Sequence, residues 1–219
     1  MENNTALKNP TATFVGLAIA LFGAPVFVAV YRAITGESHS DAQVLGRELG
    51  IFLLVGLLLW IVKRWELLPL TSIGLRIDRL RTSLLRGLGL AVIVLIVTVG
   101  LYLLLRGVGI HLGEDRANAF HPSLLIVTVI TLRAGIAEEI FYRGFAIERL
   151  QRLAGSKWVA GLLPLVLFAL AHYRQGLGGI IAAFVLGGIL TAFYMKFRDL
   201  LANMTGHFLA DFVLNVLLP

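Results

Sequence analysis

One pattern recurs along this chain: a run of mainly apolar residues long enough for a bilayer, closed by a short segment that holds most of the charge. Runs of this kind occupy 12–31, 44–62, 87–105, 122 through the acidic pair at 138–139, 158–173, 177–195 and 200–218. A transmembrane helix needs about 20 such residues, because the hydrocarbon core is about 30 Å thick. The composition agrees: 58% of residues are hydrophobic and 15% charged, where a soluble domain carries about 25% charged residues. The predicted fold is all-α, a polytopic transmembrane helix bundle of about seven spans forming one integral membrane domain over 1–219. Its motif-bearing part is 122–218. Three spans are less clean than the rest. The second opens with Arg47 and Glu48, the fourth contains Arg133 and two glutamates, and the fifth is short, with Pro164 inside it. The first run is longer than a signal-peptide core and has only Lys8 as a basic lead-in, so it reads as a retained helix.

The net charge of +6 fits the Lys and Arg excess of cytoplasmic loops rather than nucleic-acid binding. With the N-terminus inside, Lys8, the basic residues of 63–86, Arg143, Arg149, Arg152, Lys157, Lys196 and Arg198 fall on the cytoplasmic side. Only Arg32, Arg47, Arg106, Arg116 and Arg174 fall outside, with Arg133 inside a span. The expected topology is therefore N-in and C-out. Between Lys63 and Arg86, basic residues alternate with Ile73, Leu75, Ile77, Leu80 and Leu84. That segment is either an amphipathic element lying along the headgroups or an ordinary positive loop. The chain has no Cys, which excludes disulfides, thiolate catalysis and Cys-based metal sites. His and carboxylates remain as the reactive groups.

A charge near the bilayer centre costs at least about 2.5–3.5 kcal/mol, so Glu138 and Glu139 need an account. On an α-helix they point about 100° apart, and Arg143 shares the face of Glu139. Glu139 with Arg143 therefore reads as a structural ion pair. Glu138 meets Ala134 at i−4 and Tyr142 at i+4, which leaves it the carboxylate free to react. Arg133, about one and a half turns earlier, is positioned as a second counter-charge or a substrate anchor. His172 and His207 lie in later spans, and Asp211 shares the face of His207 at i+4. At 1.5 Å per residue, Glu138 is about 21 Å from a helix end near Arg152, His172 about 22 Å from Lys157, and His207 about 13 Å from Arg198. These depths match only if the fourth helix continues past Arg143 to about Arg152.

Such a cluster suits peptide hydrolysis. A buried glutamate is a competent base toward water, and the tetrahedral oxyanion needs donors of the kind His supplies. Glu138 with His172 would hold the water and His207 would face the oxyanion. An ionised Asp211 would repel that charge, so its role is to orient or protonate His207.

Taken in order, Glu138-Glu139-x-x-x-Arg143, Phe168-x-x-x-His172 and His207-x-x-x-Asp211 resemble the motifs of the CPBP family of intramembrane proteases. That family contains the type II CAAX prenyl endopeptidase and bacterial proteins termed Abi or bacteriocin-processing. The resemblance implies Glu138 as the water-activating residue, His172 as its partner and His207 as a catalytic or oxyanion-stabilising residue. It also implies a site in the membrane that opens to the cytoplasm, here of a bacterial plasma membrane, with a peptide or protein substrate.

Two mechanisms fit the resemblance: a glutamate mechanism with no cofactor, and a Zn2+ site in which Glu138, His172 and His207 are the ligands. The first is favoured, because HExxH is absent and a ligating Glu138 cannot also be the base. The CAAX-processing enzymes resemble a His-x-x-x-Asn pattern where this chain has Asp211, which argues against a prenylated substrate. A non-proteolytic membrane protein, such as an immunity factor or a small transporter with a proton relay, is the alternative. No inverted repeat supports a transporter. His39, His111 and His121 read as solvated loop residues, and the glycines at 176, 178, 179, 187 and 188 as close-packing positions.

Overall fold

The computed structural model describes residues 9–37, 40–111 and 120–217. Lys8, His39, Arg116 and Leu218, which entered the sequence reading, lie outside the described residues. Seven helices and no strand are present among the described residues: α1 (Pro10–Thr35), α2 (Asp41–Trp65), α3 (Leu80–Gly107), α4 (124–154), α5 (Lys157–Ala171), α6 (Gly176–Phe197) and α7 (Leu200–Leu217).

Their starts follow capping chemistry. The side chain of Asn9 accepts from the Ala12 amide at 3.2 Å, Ser40 from Gln43 at 3.3 Å, and Asp199 from Ala202 at 3.1 Å, each satisfying an orphan first-turn donor. Helices α1 and α4 stop at Gly36 and Gly155, whose φ values of 76° and 64° are open to glycine without strain. Helices α1, α2, α3, α7 and the segment Tyr173–Phe197 are long and apolar enough to cross a membrane. Their outward side chains include Leu53, Ile96, Leu104 and Leu177, all more than half exposed, as lipid-facing residues are. The other two helices differ. Helix α4 carries too many charges for a free-standing span, and α5 has 15 residues, or about 22 Å.

The charged α4 is tolerated because it is wrapped by the rest. It runs from Leu124 through Ala154 without a break, and over Ala134–Ile147 its hydrogen bonds step from i to i+5. Within that stretch every residue except Ile136 and Glu138 is buried. Wider π turns of this sort are rare and concentrate at functional sites. Glycines let the neighbours close in. A Cβ on Gly135 would lie 2.9 Å from the backbone of Phe208 in α7, and one on Gly144 would lie 2.9 Å from Leu200. Phe141, Phe145 and Ala146 then join Leu17, Val55, Leu58 and Tyr194 in the main core. Alongside, α3 packs on α7 through Gly87 against Thr205 and Gly206 against Leu90, the small-residue contact expected between membrane helices.

Ion pairs mark the two ends of the bundle. At one end Arg149 holds Glu66 at 2.8 Å, Arg198 holds Glu148, and Arg86 holds Asp199 at 3.2 Å. Thr13, near the start of α1, reaches the same Glu66 at 2.7 Å. At the other end Glu37 lies between Arg32 and Arg174. One of the two readings of the segment 63–86 is removed here. The segment 63–86 is not a single headgroup-lying element, because Ile73 is fully buried and Gly74 accepts the Leu200 amide at 3.0 Å. The continuous exposed stretch of basic and apolar residues is 76–82. His111 and His121 are exposed, as expected of loop residues.

Candidate active site

The uninterrupted α4 meets the length condition that the matched depths imposed, and it sets the acidic pair against α5, α6 and α7. Glu139 is fully buried and receives three donors. Arg143 Nη1 donates to its Oε1 at 2.9 Å, His207 Nδ1 meets Oε1 at 2.8 Å, and Asn203 Nδ2 donates to Oε2 at 3.1 Å. Arg143 is as well held as its partner. It donates from Nη2 to the Gly187 carbonyl at 3.0 Å and from Nε to Thr191 at 3.4 Å, and its guanidinium lies 4.5 Å from the Phe168 ring centre. The close approach at Gly187 explains that glycine, since a Cβ there would meet Phe168 at 2.9 Å and Arg143 at 3.0 Å.

His207 therefore belongs to the Glu139 side of the site. Its Nδ1 carries the proton toward Glu139, and its Nε2 lies 3.5 Å from Asp211 Oδ2. Asn203, His207 and Asp211 form one stripe at four-residue intervals along α7. The histidine and aspartate were predicted. Asn203 was missed, although its spacing from His207 was a readable signal.

Glu138 has different company. Its side chain is 19% exposed, and its Oε1 accepts from Arg133 Nη1 at 2.6 Å. The same guanidinium donates from Nε to Glu48 in α2 at 2.5 Å, and Glu48 is held in turn by Arg47 at 2.7 Å. This corrects the expectation that Glu138 is a carboxylate without a partner. An i±4 partner belongs to α geometry, whereas a turn with i→i+5 hydrogen bonds takes more than four residues and brings side chains five apart together. Arg133 is the counter-charge that the sequence placed near the cavity. Glu48 is a residue that sequence reasoning did not assign, and its signal was a carboxylate inside an apolar span.

His172 caps the C-terminal end of α5. Its Nδ1 lies 2.8 Å from the Phe168 carbonyl, which can only accept, so the proton sits on Nδ1 and Nε2 keeps a free lone pair. Phe168 gathers the neighbourhood: its ring contacts His172 edge-on at 4.7 Å and Tyr142 at 5.1 Å, besides carrying Arg143. His172 is thereby linked through Phe168 to Tyr142 of α4, and among the described residues it makes no hydrogen bond or ion pair with Glu138.

These residues do not fit a zinc centre. Among the described residues no three His, Asp or Glu side chains are placed to hold a metal ion. Both nitrogens of His207 face carboxylates, and Glu138 is occupied by a guanidinium.

Residues 120–213 match the family model described as Type II CAAX prenyl endopeptidase Rce1-like. No curated protein and no solved structure matches the chain. The matched stretch takes in α4 from its first turn, all of α5 and α6, and α7 as far as Val213, so it includes the acidic pair, both histidines and Asp211. This segment, less than half of the chain, is what is similar to the Rce1-like type II CAAX prenyl endopeptidase family.

Proposed function

We propose that the protein is an intramembrane endopeptidase in which Glu138 deprotonates the attacking water, with His172 as its partner and His207 facing the developing oxyanion. The observation that carries this reading is the unequal treatment of adjacent carboxylates. Glu139 is sealed and saturated with donors, while Glu138 keeps partial exposure and one cationic partner.

Each group then has a definable task. Glu138 accepts the proton of a water aimed at the scissile carbonyl carbon, and later delivers it to the leaving amine. His172 presents Nε2 as a second acceptor for that water, because Nδ1–H is committed to the Phe168 carbonyl. His207 is oriented by Glu139 on one side, and its 3.5 Å contact with Asp211 is long enough to yield to a substrate oxygen. Donors fixed before the reaction cost no reorganisation when charge develops. Arg143, Asn203 and Thr191 keep Glu139 and His207 in register. The substrate is a peptide or membrane-associated protein segment. The His207-x-x-x-Asp211 pattern favours one without a prenyl group, and the distribution of Lys and Arg favours access from the cytoplasmic side.

The test is cleavage of a quenched fluorescent peptide library by protein reconstituted in liposomes, with Glu138→Gln, His172→Ala and His207→Ala beside the wild type. Each variant is expected to lose at least about 100-fold in kcat/KM while staying folded, and a chelator is expected to leave the wild type unchanged. Full activity in all three variants would remove the assignment. Ion flux that needs Glu138, with no peptide cleaved, would turn the reading toward a transporter.

A further inference from the structure

Tyr142 is a buried side chain of α4 that the proposed mechanism leaves without a task. It is 4% exposed, yet its hydroxyl makes no hydrogen bond among the described residues. Buried tyrosines normally find a partner for the O–H. The ring is well used, lying edge-on to Phe168 at 5.1 Å and 70°. A phenylalanine would serve that packing equally and would strand no hydroxyl. The oxygen is not entombed either: the only sealed side-chain polar atom without a partner among the described residues is Asn203 Oδ1. The Tyr142 oxygen therefore borders open space.

That space is on the Glu138 side. Tyr142 follows Glu138 by four residues within the same stretch of π turns, and the two groups lie within electrostatic reach of each other. Phe168 packs against both Tyr142 and His172, so the tyrosine stands between Glu138 on its own helix and the histidine end of α5. The spacing suits hydrolysis. A base holds its water at about 2.6–3.2 Å, the water stands about 3–3.5 Å from the carbon it attacks, and the carbonyl oxygen lies just beyond. A neutral phenol is a donor there at physiological pH.

We infer that Tyr142 is a catalytic residue whose hydroxyl, unpartnered beside Glu138, donates a hydrogen bond to the scissile carbonyl oxygen as it becomes an oxyanion. The inference rests on the proposed peptidase reading. Water adds to the carbonyl carbon and its proton passes to Glu138. The oxyanion is held by the Tyr142 O–H and by His207, without transfer of the phenolic proton. Collapse breaks the C–N bond, and the proton on Glu138 leaves with the amine.

The experiment compares Tyr142→Phe with wild type on the library peptide that wild type cleaves best, in liposomes, with rates expressed per folded protein. Expected is a kcat lowered by about 10²–10³-fold, a KM within about twofold and an unchanged thermal midpoint. A peptide aldehyde of the same sequence, whose hydrate mimics the tetrahedral intermediate, is expected to lose binding by the same factor as kcat. Wild-type kcat in Tyr142→Phe, or a loss of kcat without loss of aldehyde binding, would overturn the role of Tyr142. Glu138→Gln separates the two ideas. If it too is active, the peptidase assignment itself fails; if it is inactive while Tyr142→Phe is active, only the tyrosine does.

Discussion

Glu138 and Glu139 are consecutive in the chain and sit in opposite environments. Glu139 is fully buried and takes donors from α4 and α7, each of which is fixed by a further contact on α6 or α7. Glu138 is half-buried and is held from one side by Arg133, itself tied back to Glu48 on α2. A carboxylate that is sealed and saturated has no lone pair to offer a water molecule. One that is open on a side can accept a proton and return it. On the proposed reading the helix divides its acidic pair between architecture and chemistry, and its π turns aim the two neighbours at different helices.

The comparison breaks first at Arg143. Replacing it with Leu leaves Glu139 charged and buried without its main counter-ion. Removing one member of a buried pair typically costs about 3–5 kcal/mol. Arg143→Leu should therefore lower the unfolding midpoint in detergent by the largest margin of any change in the site, with cleavage lost in parallel. Arg143→Lys is expected to rescue little, because an ammonium cannot reach Glu139, Thr191 and the Gly187 carbonyl in one plane. Wild-type stability in Arg143→Leu would mean that Glu139 is not the structural member of the pair.

Much of this arrangement is legible in the sequence where local periodicity carries it. The seven helices, the Glu139–Arg143 pair and the His207–Asp211 stripe follow from runs and i+4 spacings, and the continuation of α4 entered as a condition for the depths of Glu138, His172 and His207 to match. What escapes is of two kinds. The i→i+5 hydrogen bonding over Ala134–Ile147 has no sequence signature of its own, so the partner of Glu138 was sought four residues away and stands five away. Contacts between helices are the other kind. Glu48 and Arg133 are 85 residues apart, and nothing in either neighbourhood names the other. Yet each was conspicuous as a charge in an apolar run, and two such misfits in one bundle are candidates for each other. Ile73 misled for the converse reason, since an apolar residue among arginines reads as interfacial until a tertiary contact buries it.

Arg133→Gln sharpens the open side of the comparison. The 2.6 Å bond to Glu138 fixes where the carboxylate points, and a hydrogen bond to a charged group contributes about 1.5–3 kcal/mol. The expected outcome is a kcat about 10–100-fold lower, since each 1.4 kcal/mol is tenfold. Stability should fall less than in Arg143→Leu, because Glu48 retains Arg47 at 2.7 Å. If stability collapsed instead with the residual kcat intact, the Arg133–Glu138 contact would belong with the architecture, and the contrast between the two glutamates would weaken.

The smallest effect is expected furthest from the pair, at Arg174. Its contact with Glu37 at 3.3 Å joins side chains that are 53% and 63% exposed. Exposed ion pairs contribute about 0–1 kcal/mol, and salt screens them. Glu37 also keeps Arg32. Arg174→Ala should therefore leave both the unfolding midpoint and kcat close to wild type, although His172 is two residues away. A marked fall in kcat alone would show that the turn at 173–175 positions the His172 imidazole, and that the reactive side of the site depends on the end of the bundle as well as on α4.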